Sequence, residues 1–279
     1  MRKSIAIPVA AVALTGAALA ALALRPGGNL SAEFERRLAG LVPGPVGAPL
    51  TEADLGHLPE PVRRYLRRAG ALGKPPVSSV HTMFEATLYG APGAPGMTGP
   101  AHQIDVVDPP RRLFFMTTRM HGLPVAVFHD YRPEEATMRA RAARLIDMVD
   151  VSGPDLARTE TVTLLNDLCV FAPSALVRPE FGWTPIDATH AGVTFAAGPH
   201  VVSATLVFDA EGDLVDFVSD DRGELQPDGG LRVQRWTTPL SDYREFDGRR
   251  VATRGEAIWH RTEGAFTYGR FDVRKVTFD

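Results

Sequence analysis

The segment PLSDYREFDGRRVATRGEAIWH, residues 239–260, holds the densest set of side chains that could do chemistry. Its Ser241, Asp242 and His260 are the residue types of a hydrolytic triad, in which histidine takes the serine proton and a carboxylate orients the histidine. An Asp-Gly pair at its centre, however, strongly favours a tight β-hairpin turn. Neighbouring residues of an extended strand point to opposite faces of a sheet, so Ser241 and Asp242 would diverge. The pattern predicts a hairpin with polar side chains facing water and no local triad.

Other motifs that carry chemistry are missing or incomplete. The chain has no G-x-S-x-G or H-E-x-x-H, and its glycine-rich stretch YGAPGAPGMTGPA has neither G-x-G-x-x-G nor a P-loop lysine. Asp220 and Asp221 end a predicted strand, where carboxylates usually meet water. Cys169 is the single cysteine and lies in an apolar helical context, which predicts a buried, unreactive thiol and excludes an internal disulfide. We therefore expect no catalytic residues, cofactor or metal site, and the sequence favours a protein that is not an enzyme.

Net charge and composition further narrow the kinds of protein that the chain can be. A formal net charge of −3 with 44% hydrophobic and 23% charged residues is ordinary for a folded domain and gives no pull toward nucleic acid. One local basic cluster lies on a predicted helix, with Arg63, Arg64, Arg67 and Arg68 along one face. That face is either exposed to water or in contact with anionic lipid headgroups.

The first 25 residues predict the compartment. Arg2 and Lys3 precede an apolar run, Ile5–Leu24, of about the 20 residues that a helix needs to cross a bilayer. Positive residues before such a run stay in the cytoplasm, so the remainder faces outward. Two A-x-A sequences, at 18–20 and 21–23, leave a cleaved signal peptide open as the alternative. We expect a membrane protein of the cell envelope, single-pass with an extracytoplasmic C-terminal domain, or a secreted protein after cleavage.

The periodicity beyond this segment divides the chain in two. Residues 26–57 predict a short amphipathic helix, with Phe34 on its apolar stripe, and a Pro/Gly-rich linker. Residues 58–279 predict a single antiparallel β domain. It begins with the arginine-rich helix, which turns Val62, Tyr65, Leu66 and Ala69 inward.

From Val80 onward the period becomes two, and some dozen strands follow in hairpin succession. One long helix, at about 155–171, interrupts them, with Leu165 and Leu168 on its apolar face. The fold class is mainly β: a large antiparallel meander forming a curved half-barrel or open barrel, covered by one or two helices, after the N-terminal transmembrane or signal helix.

Four phrases resemble a family of uncharacterised bacterial proteins, many of which carry an N-terminal anchor. They are LPEPVRRYLRRAG, MVDVSGPDLARTETVTLLNDLCVFAPSALV, PLSDYREFDGRRVATRGEAIWH and FTYGRFDVRKV. The family is a domain of unknown function, so the resemblance implies no catalytic residues. The order of strands and helices is also similar to the LolA/LppX-like lipoprotein carriers, which implies an incomplete barrel holding acyl chains against helices.

Large apolar residues on both faces of some strands suggest a ligand. RRLFFMTTRM, for example, has four of them in succession, at 113–116. Such a strand must cover a helix on one side and something else on the other, which is either a ligand or simply more of the protein core. We therefore expect an envelope domain that binds a lipid or other apolar ligand, with a structural or scaffolding role, or less favourably a hydrolase, as the alternatives. The residues expected to line the ligand are Phe115, Leu165, Leu168, Phe217, Trp236 and Trp259.

Overall fold

The computed structural model describes residues 29–279 and is mainly β. The expected membrane or signal segment, 1–25, lies outside the described residues. Within residues 29–279, no helix combines the length and apolar character needed to span a bilayer.

Sixteen strands and three α-helices make up this described part. The helices are α1 (Leu30–Ala39), α2 (Glu60–Arg68) and α3 (Pro154–Phe171), with short 3-10 turns at Glu52–Leu55 and Pro173–Val177. The strands are β1 (Ser79–Leu88), β2 (Met97–Val106), β3 (Arg111–Met120), β4 (Leu123–Arg132), β5 (Glu135–Ala142), β6 (Ile146–Ser152), β7 (Phe181–Pro185), β8 (His190–Ala197), β9 (His200–Phe208), β10 (Leu214–Ser219), β11 (Gly223–Leu225), β12 (Leu231–Val233), β13 (Trp236–Thr237), β14 (Leu240–Phe246), β15 (Arg249–Arg261) and β16 (Gly264–Phe278).

Fourteen of these strands form one antiparallel sheet, in the order β6-β5-β4-β3-β2-β1-β16-β15-β13-β10-β9-β8-β7, with β14 beside β15. The ends of this order, β6 and β7, do not pair with each other, so the sheet curls without closing. It is the half-barrel that the meander pattern predicted. Strands β11 and β12 form a separate hairpin that leaves the sheet between β10 and β13.

The predicted hairpin at 239–260 is confirmed as β14 and β15. Asp247 (φ 48°) and Gly248 (φ 67°) form its turn in the left-handed conformation that such tight turns require. One detail is wrong: Asp242 is also left-handed, with φ 55°, so it does not alternate with Ser241 as an extended residue would. A triad is excluded instead by distance. Ser241 lies opposite Arg254, and His260 lies six residues, about 20 Å, further along β15.

The arginine-rich helix α2 packs its predicted face into the core. Val62, Tyr65 and Leu66 are fully buried, and the Tyr65 hydroxyl donates a hydrogen bond of 2.8 Å to the carbonyl of Cys169 at the end of α3. Gly70 (φ 70°) ends the helix where a Cβ would lie 2.5 Å from the carbonyl oxygen of Gly248, so only glycine fits there.

The basic face of α2 is occupied by protein partners. Arg63 and Arg67 pair with Glu60 and Glu52 at 2.7 and 2.9 Å. Arg68 pairs with Asp213 at 2.8 Å, and Arg64 donates to a backbone carbonyl. These contacts favour a structural role for the face.

Helices cover both faces of the sheet at strands β2 to β4. Leu113 and Phe115 point to one face, where Phe34 of α1 stacks on Phe115 with ring centroids 5.1 Å apart. Phe114 and Met116 point to the other face, toward α3. The strand with apolar residues on both sides is therefore explained by a helix on each side.

The long helix α3 occupies the interior of the curled sheet. Pro154 and Asp155 begin it, at positions where proline and an acidic residue favour a helix N-terminus. It contacts strands from both ends of the sheet order, among them β5, β6, β9 and β10. Leu165 and Leu168 are fully buried, as the expected cover over the sheet requires.

We predict that Leu168→Ala lowers the free energy of unfolding by about 2–5 kcal/mol, because it leaves a cavity in a close-packed region. Leu123→Ala is the control: Leu123 is 47% exposed at a strand end, and its truncation should cost less than about 0.5 kcal/mol. Urea unfolding of the two variants measures both values. Equal small losses would mean that α3 does not bury this residue.

Candidate functional site

A cavity of about 420 Å³ lies between α3 and the inner face of the sheet. Side chains of β1 to β6, of β15 and β16 and of the β11–β12 hairpin form its walls. Ligand pockets in proteins span about 300–1,000 Å³, so the cavity has the size of a small-molecule or lipid site.

The sheet wall of the cavity is largely apolar. Strands β4 and β5 contribute Val125, Val127, Met138 and Ala140 from their inward positions. Further round, β15 and β16 contribute aromatic and small apolar residues. These are Ala252, Ala257, Trp259, Phe266, Phe271 and Val273.

The helix wall is polar along its middle and apolar at its ends, where Leu156, Val170 and Phe171 also line the cavity. Thr159, Glu160, Thr163, Asn166 and Asp167 of α3 all line the cavity, although each is buried from solvent. Their spacing of three, four and seven residues places them on one face of the helix. Helix α3 therefore turns a polar stripe toward an apolar sheet.

The residues expected to line a ligand fall into two groups. Trp236 and Trp259 line the cavity. The other four are not among its lining residues: Phe115 lies on the opposite sheet face under α1, and Leu165, Leu168 and Phe217 are fully buried in the core. For α3 the reason is that Leu165 and Leu168 lie on the face away from the polar stripe, so the expected lining face is the back of the helix.

Arg112 of β3 anchors a polar cluster at the helix wall. We define this buried cluster as Gln103, Asp105, Arg112, His129, Glu160, Asp167 and Arg222. Arg112 Nε lies 2.7 Å from Asp167 Oδ2, and Arg112 Nη1 lies 3.3 Å from Glu160 Oε2. Its Nη2 donates to Gln103 Oε1 at 3.0 Å. The guanidinium of Arg112 is thus satisfied by one side-chain amide of β2 and two carboxylates of α3.

Arg222 approaches the same helix from the other half of the sheet. Its Nε donates to Thr163 Oγ1 at 3.1 Å, and its Nη1 donates to the Tyr268 hydroxyl at 2.9 Å. The guanidinium carbon lies 4.4 Å from the ring centroid of Trp236 and 5.0 Å from that of Trp259. Stacking on aromatic faces stabilises a cation through the ring quadrupole, so both cavity tryptophans hold Arg222 in place.

The carboxyl groups of the cluster differ in protonation. Burial raises the pKa of Asp105 well above its ordinary value, and repulsion from Asp167 adds to this effect, so Asp105 keeps its proton. Burial also opposes ionisation of Glu160, but His129, Arg112 and Arg222 outweigh it and hold its pKa at about 2. Asp167 has its pKa raised by burial, yet it makes the shortest contact with Arg112 and is that arginine's ionised partner.

The Glu160 carboxylate is a poor candidate for proton transfer. A general acid or base works best with a pKa near the operating pH, and the Glu160 carboxylate is far below it. Within the described part of the chain, no serine or cysteine lines the cavity, and burial raises the pKa of the Cys169 thiol on the back of α3. Among residues 29–279, no group of three or more His, Cys, Asp or Glu side chains is arranged to hold a metal ion.

The acidic pair at 220–221 is engaged outside the cluster. Asp220 pairs with Arg235 at 2.9 Å, and Asp221 pairs with Arg158 at 2.7 Å. Neither carboxylate lines the cavity.

The polar cluster was missed by the sequence reasoning, although it left a signal. Glu160, Thr163 and Asp167 recur at helical spacing within the long helix, and Gln103 and Asp105 alternate on β2. Each set taken alone is typical of a water-exposed face. Only the curl of the sheet brings them together in the interior.

We predict that Asp105→Asn stabilises the protein increasingly as the pH rises. An unfolded aspartate loses its proton near pH 4, whereas folded Asp105 retains it, so wild-type folding takes up a proton above that pH. Wild type should therefore lose up to about 1.4 kcal/mol per pH unit relative to the variant, from about pH 4 to the raised pKa. Urea unfolding at several pH values measures the difference. Parallel stability curves would contradict a protonated Asp105.

Solved structures with a similar chain path include two bacterial proteins. One is a LolA superfamily protein from Nitrosomonas europaea, at 10% identity and a TM-score of 0.41, over 78% of this chain and 93% of that one. The other is a DUF1329 family protein from Desulfovibrio piger, at 11% identity and a TM-score of 0.40, over 73% and 86%. The first of these structures belongs to the superfamily that the order of strands and helices resembled.

Sequence comparison identifies the family. A search of the curated proteins returned no match. Residues 48–271 match the sequence model of DUF6544, a family of unknown function, which covers most of the chain and agrees with the predicted kinship to an uncharacterised family. The chain belongs to the DUF6544 family.

Proposed function

We propose that this domain binds a lipid or another apolar ligand in the cavity between α3 and the sheet. The observation that carries the proposal is the cavity itself, about 420 Å³ in a core whose other apolar residues are closely buried. A pocket of this size with a largely apolar lining and a few polar groups is typical of a site for a small-molecule or lipid ligand.

The two walls explain why the space does not collapse. Packing α3 directly onto Val125 and Val127 would press Glu160 and Asp167 against hydrocarbon, and buried charges without polar partners cost several kcal/mol. The cluster around Arg112 holds the helix face at a distance from the apolar strands. An occupant with a hydrocarbon part fills the remaining gap at no such cost.

An apolar route leads from the surface to the cavity. Strand β6 is an edge of the sheet, and its Met148 and Val149 line the cavity. Ile146, on the same strand, is 58% exposed. Exposed apolar side chains that continue into a pocket are typical of a site for an apolar ligand.

We predict that Ala140→Trp abolishes lipid binding. Ala140 lies on β5 between Val127 and Val149, which both line the cavity, so an indole there occupies the space. Lipid extraction and mass spectrometry of the purified full chain should find bound lipid in the wild type and little in the variant. Ala196→Trp, on the exposed face of β8, is the control and should bind as the wild type does. Equal lipid content in all three proteins would contradict the proposal.

We also propose that the domain faces away from the cytoplasm, attached to the membrane by residues 1–25. Arg2 and Lys3 before the apolar run Ile5–Leu24 support this orientation. Attachment would place the cavity close to a bilayer, which is a source of apolar ligands.

We predict that protease added to intact spheroplasts digests the domain, because an outward-facing domain is accessible without lysis. Immunoblotting against the C-terminal region measures the loss. Digestion only after lysis would contradict the orientation. N-terminal sequencing of the mature protein separates a retained anchor from a cleaved signal, which would start near residue 21 or 24.

A further inference from the structure

We infer that the polar wall of the cavity is a headgroup site for an uncharged amphiphile that bears hydroxyl groups, of the monoacylglycerol class. The inference rests on the proposed function and specifies which lipid the cavity accepts. Three observations support it: an unpartnered carboxylate oxygen, the charge balance of the cluster, and the mixture of donors and acceptors around it.

The unpartnered oxygen is Oε1 of Glu160. Glu160 is 1% exposed and lines the cavity, and Oε1 receives no hydrogen bond from any of residues 29–279. Arg222 Nη2 is its nearest cation, at 3.7 Å, which is beyond hydrogen-bonding distance. A buried carboxylate oxygen normally receives a hydrogen bond, so the site lacks a donor that a ligand would supply.

The arginines and carboxylates of the cluster balance one another without a ligand. Arg112 and Arg222 carry two positive charges, Glu160 and Asp167 carry two negative ones, and Asp105 is protonated. A carboxylate head placed beside Glu160 would meet a like charge at close range. An ammonium head would meet the two guanidinium groups in the same way. A buried site whose arginines and carboxylates already pair with one another favours a neutral head.

The groups around the polar wall favour a ligand head that can both donate and accept hydrogen bonds. Glu160 Oε1 needs a donor. Asn166 gives one amide hydrogen to Asp167 Oδ1 at 3.3 Å and retains a second, which needs an acceptor. A hydroxyl group serves both partners, whereas a carboxylate only accepts and an ammonium only donates. Glycerol carries several such groups next to one another.

The hydrocarbon part of the ligand has a matching wall. Met138 and Ala140 face α3 from β5, and Met148 and Val149 continue this apolar surface to the sheet edge at β6. A chain that starts at Glu160 can therefore extend along apolar side chains toward the surface. A cavity with one polar end and one apolar path to the surface fits an amphiphile with a small head.

Three ligands with the same C18:1 chain test the inference: 1-monooleoylglycerol, oleate and oleylamine. The protein tested is the full chain with the substitution Trp183→Phe. An amphipathic polymer keeps it in solution, because detergent monomers would compete for the cavity. The remaining tryptophans, Trp236 and Trp259, both line the cavity, so their fluorescence reports its occupation. We expect 1-monooleoylglycerol to bind at least about tenfold more tightly than either charged ligand, because only its head satisfies the polar wall.

Glu160→Gln provides the second test. Removing this charge leaves Arg112 and Arg222 opposite Asp167 alone, so the selectivity should shift toward oleate by at least about tenfold. Glu85→Gln is the matched control: Glu85 is exposed on β1 and paired with Arg274, and its loss should leave the ratio unchanged. Circular dichroism verifies that each variant folds. If Glu160→Gln does not fold, the comparison of the three ligands still tests the inference, because that comparison uses a protein with an intact cluster.

The outcomes separate this inference from the proposed function. If no ligand changes the fluorescence, the cavity does not bind lipid and both fail. If all three ligands bind within about threefold of one another, or oleate binds most tightly, lipid binding stands and the headgroup inference is overturned. Unchanged selectivity in a folded Glu160→Gln variant overturns it as well.

Discussion

Arg112 and Arg222 enter the interior between sheet and helix from opposite halves of the sheet, and both need anionic partners there. An unpaired buried charge destabilises a fold by several kcal/mol, so the position of these partners constrains everything around them. Helix α3 supplies Glu160 and Asp167, seven residues apart and therefore on one face. Because Glu160 lies between the two arginines, the ion pairs set the rotation of α3 about its axis and tie both halves of the sheet to it.

That rotation determines what each face of the helix can do. With Glu160 and Asp167 toward the sheet, Leu165 and Leu168 must point the other way, into the part of the core that α2 and the last strands close. Buried ion pairs are a weak source of net stability, since apolar residues of similar volume often serve as well. The ion pairs of the polar stripe therefore matter more for the orientation of α3 than for the net stability of the fold.

The sequence predicted the elements well because their signals are local. The Asp-Gly turn of the β14–β15 hairpin, the inward face of α2 and the change to period two at β1 all depend on residues close together in the chain.

The cavity lining depended on long-range geometry and was predicted only in part. On β3, period two alone cannot tell whether Phe114 or Phe115 faces the interior, and α1 turned out to cover Phe115. On α3, an apolar face was assumed to face the sheet, as in most amphipathic helices. A helix enclosed on all sides has no such rule, and its orientation follows from the arginines of distant strands.

The β11–β12 hairpin links the cluster to the outer wall of the cavity. It leaves the sheet between two paired strands, and Arg222 immediately precedes it. Its Gly223 donates a backbone hydrogen bond to Thr159 of α3, and Glu224 forms an ion pair with Arg261 of β15. Leu225 and Leu231 then complete the wall. Any displacement of this hairpin from α3 would draw Arg222 away from Trp236 and leave Glu160 with less positive charge beside it. The β11–β12 hairpin thus contributes both to the wall of the cavity and to the charges beside Glu160, so a displacement of the hairpin would change both.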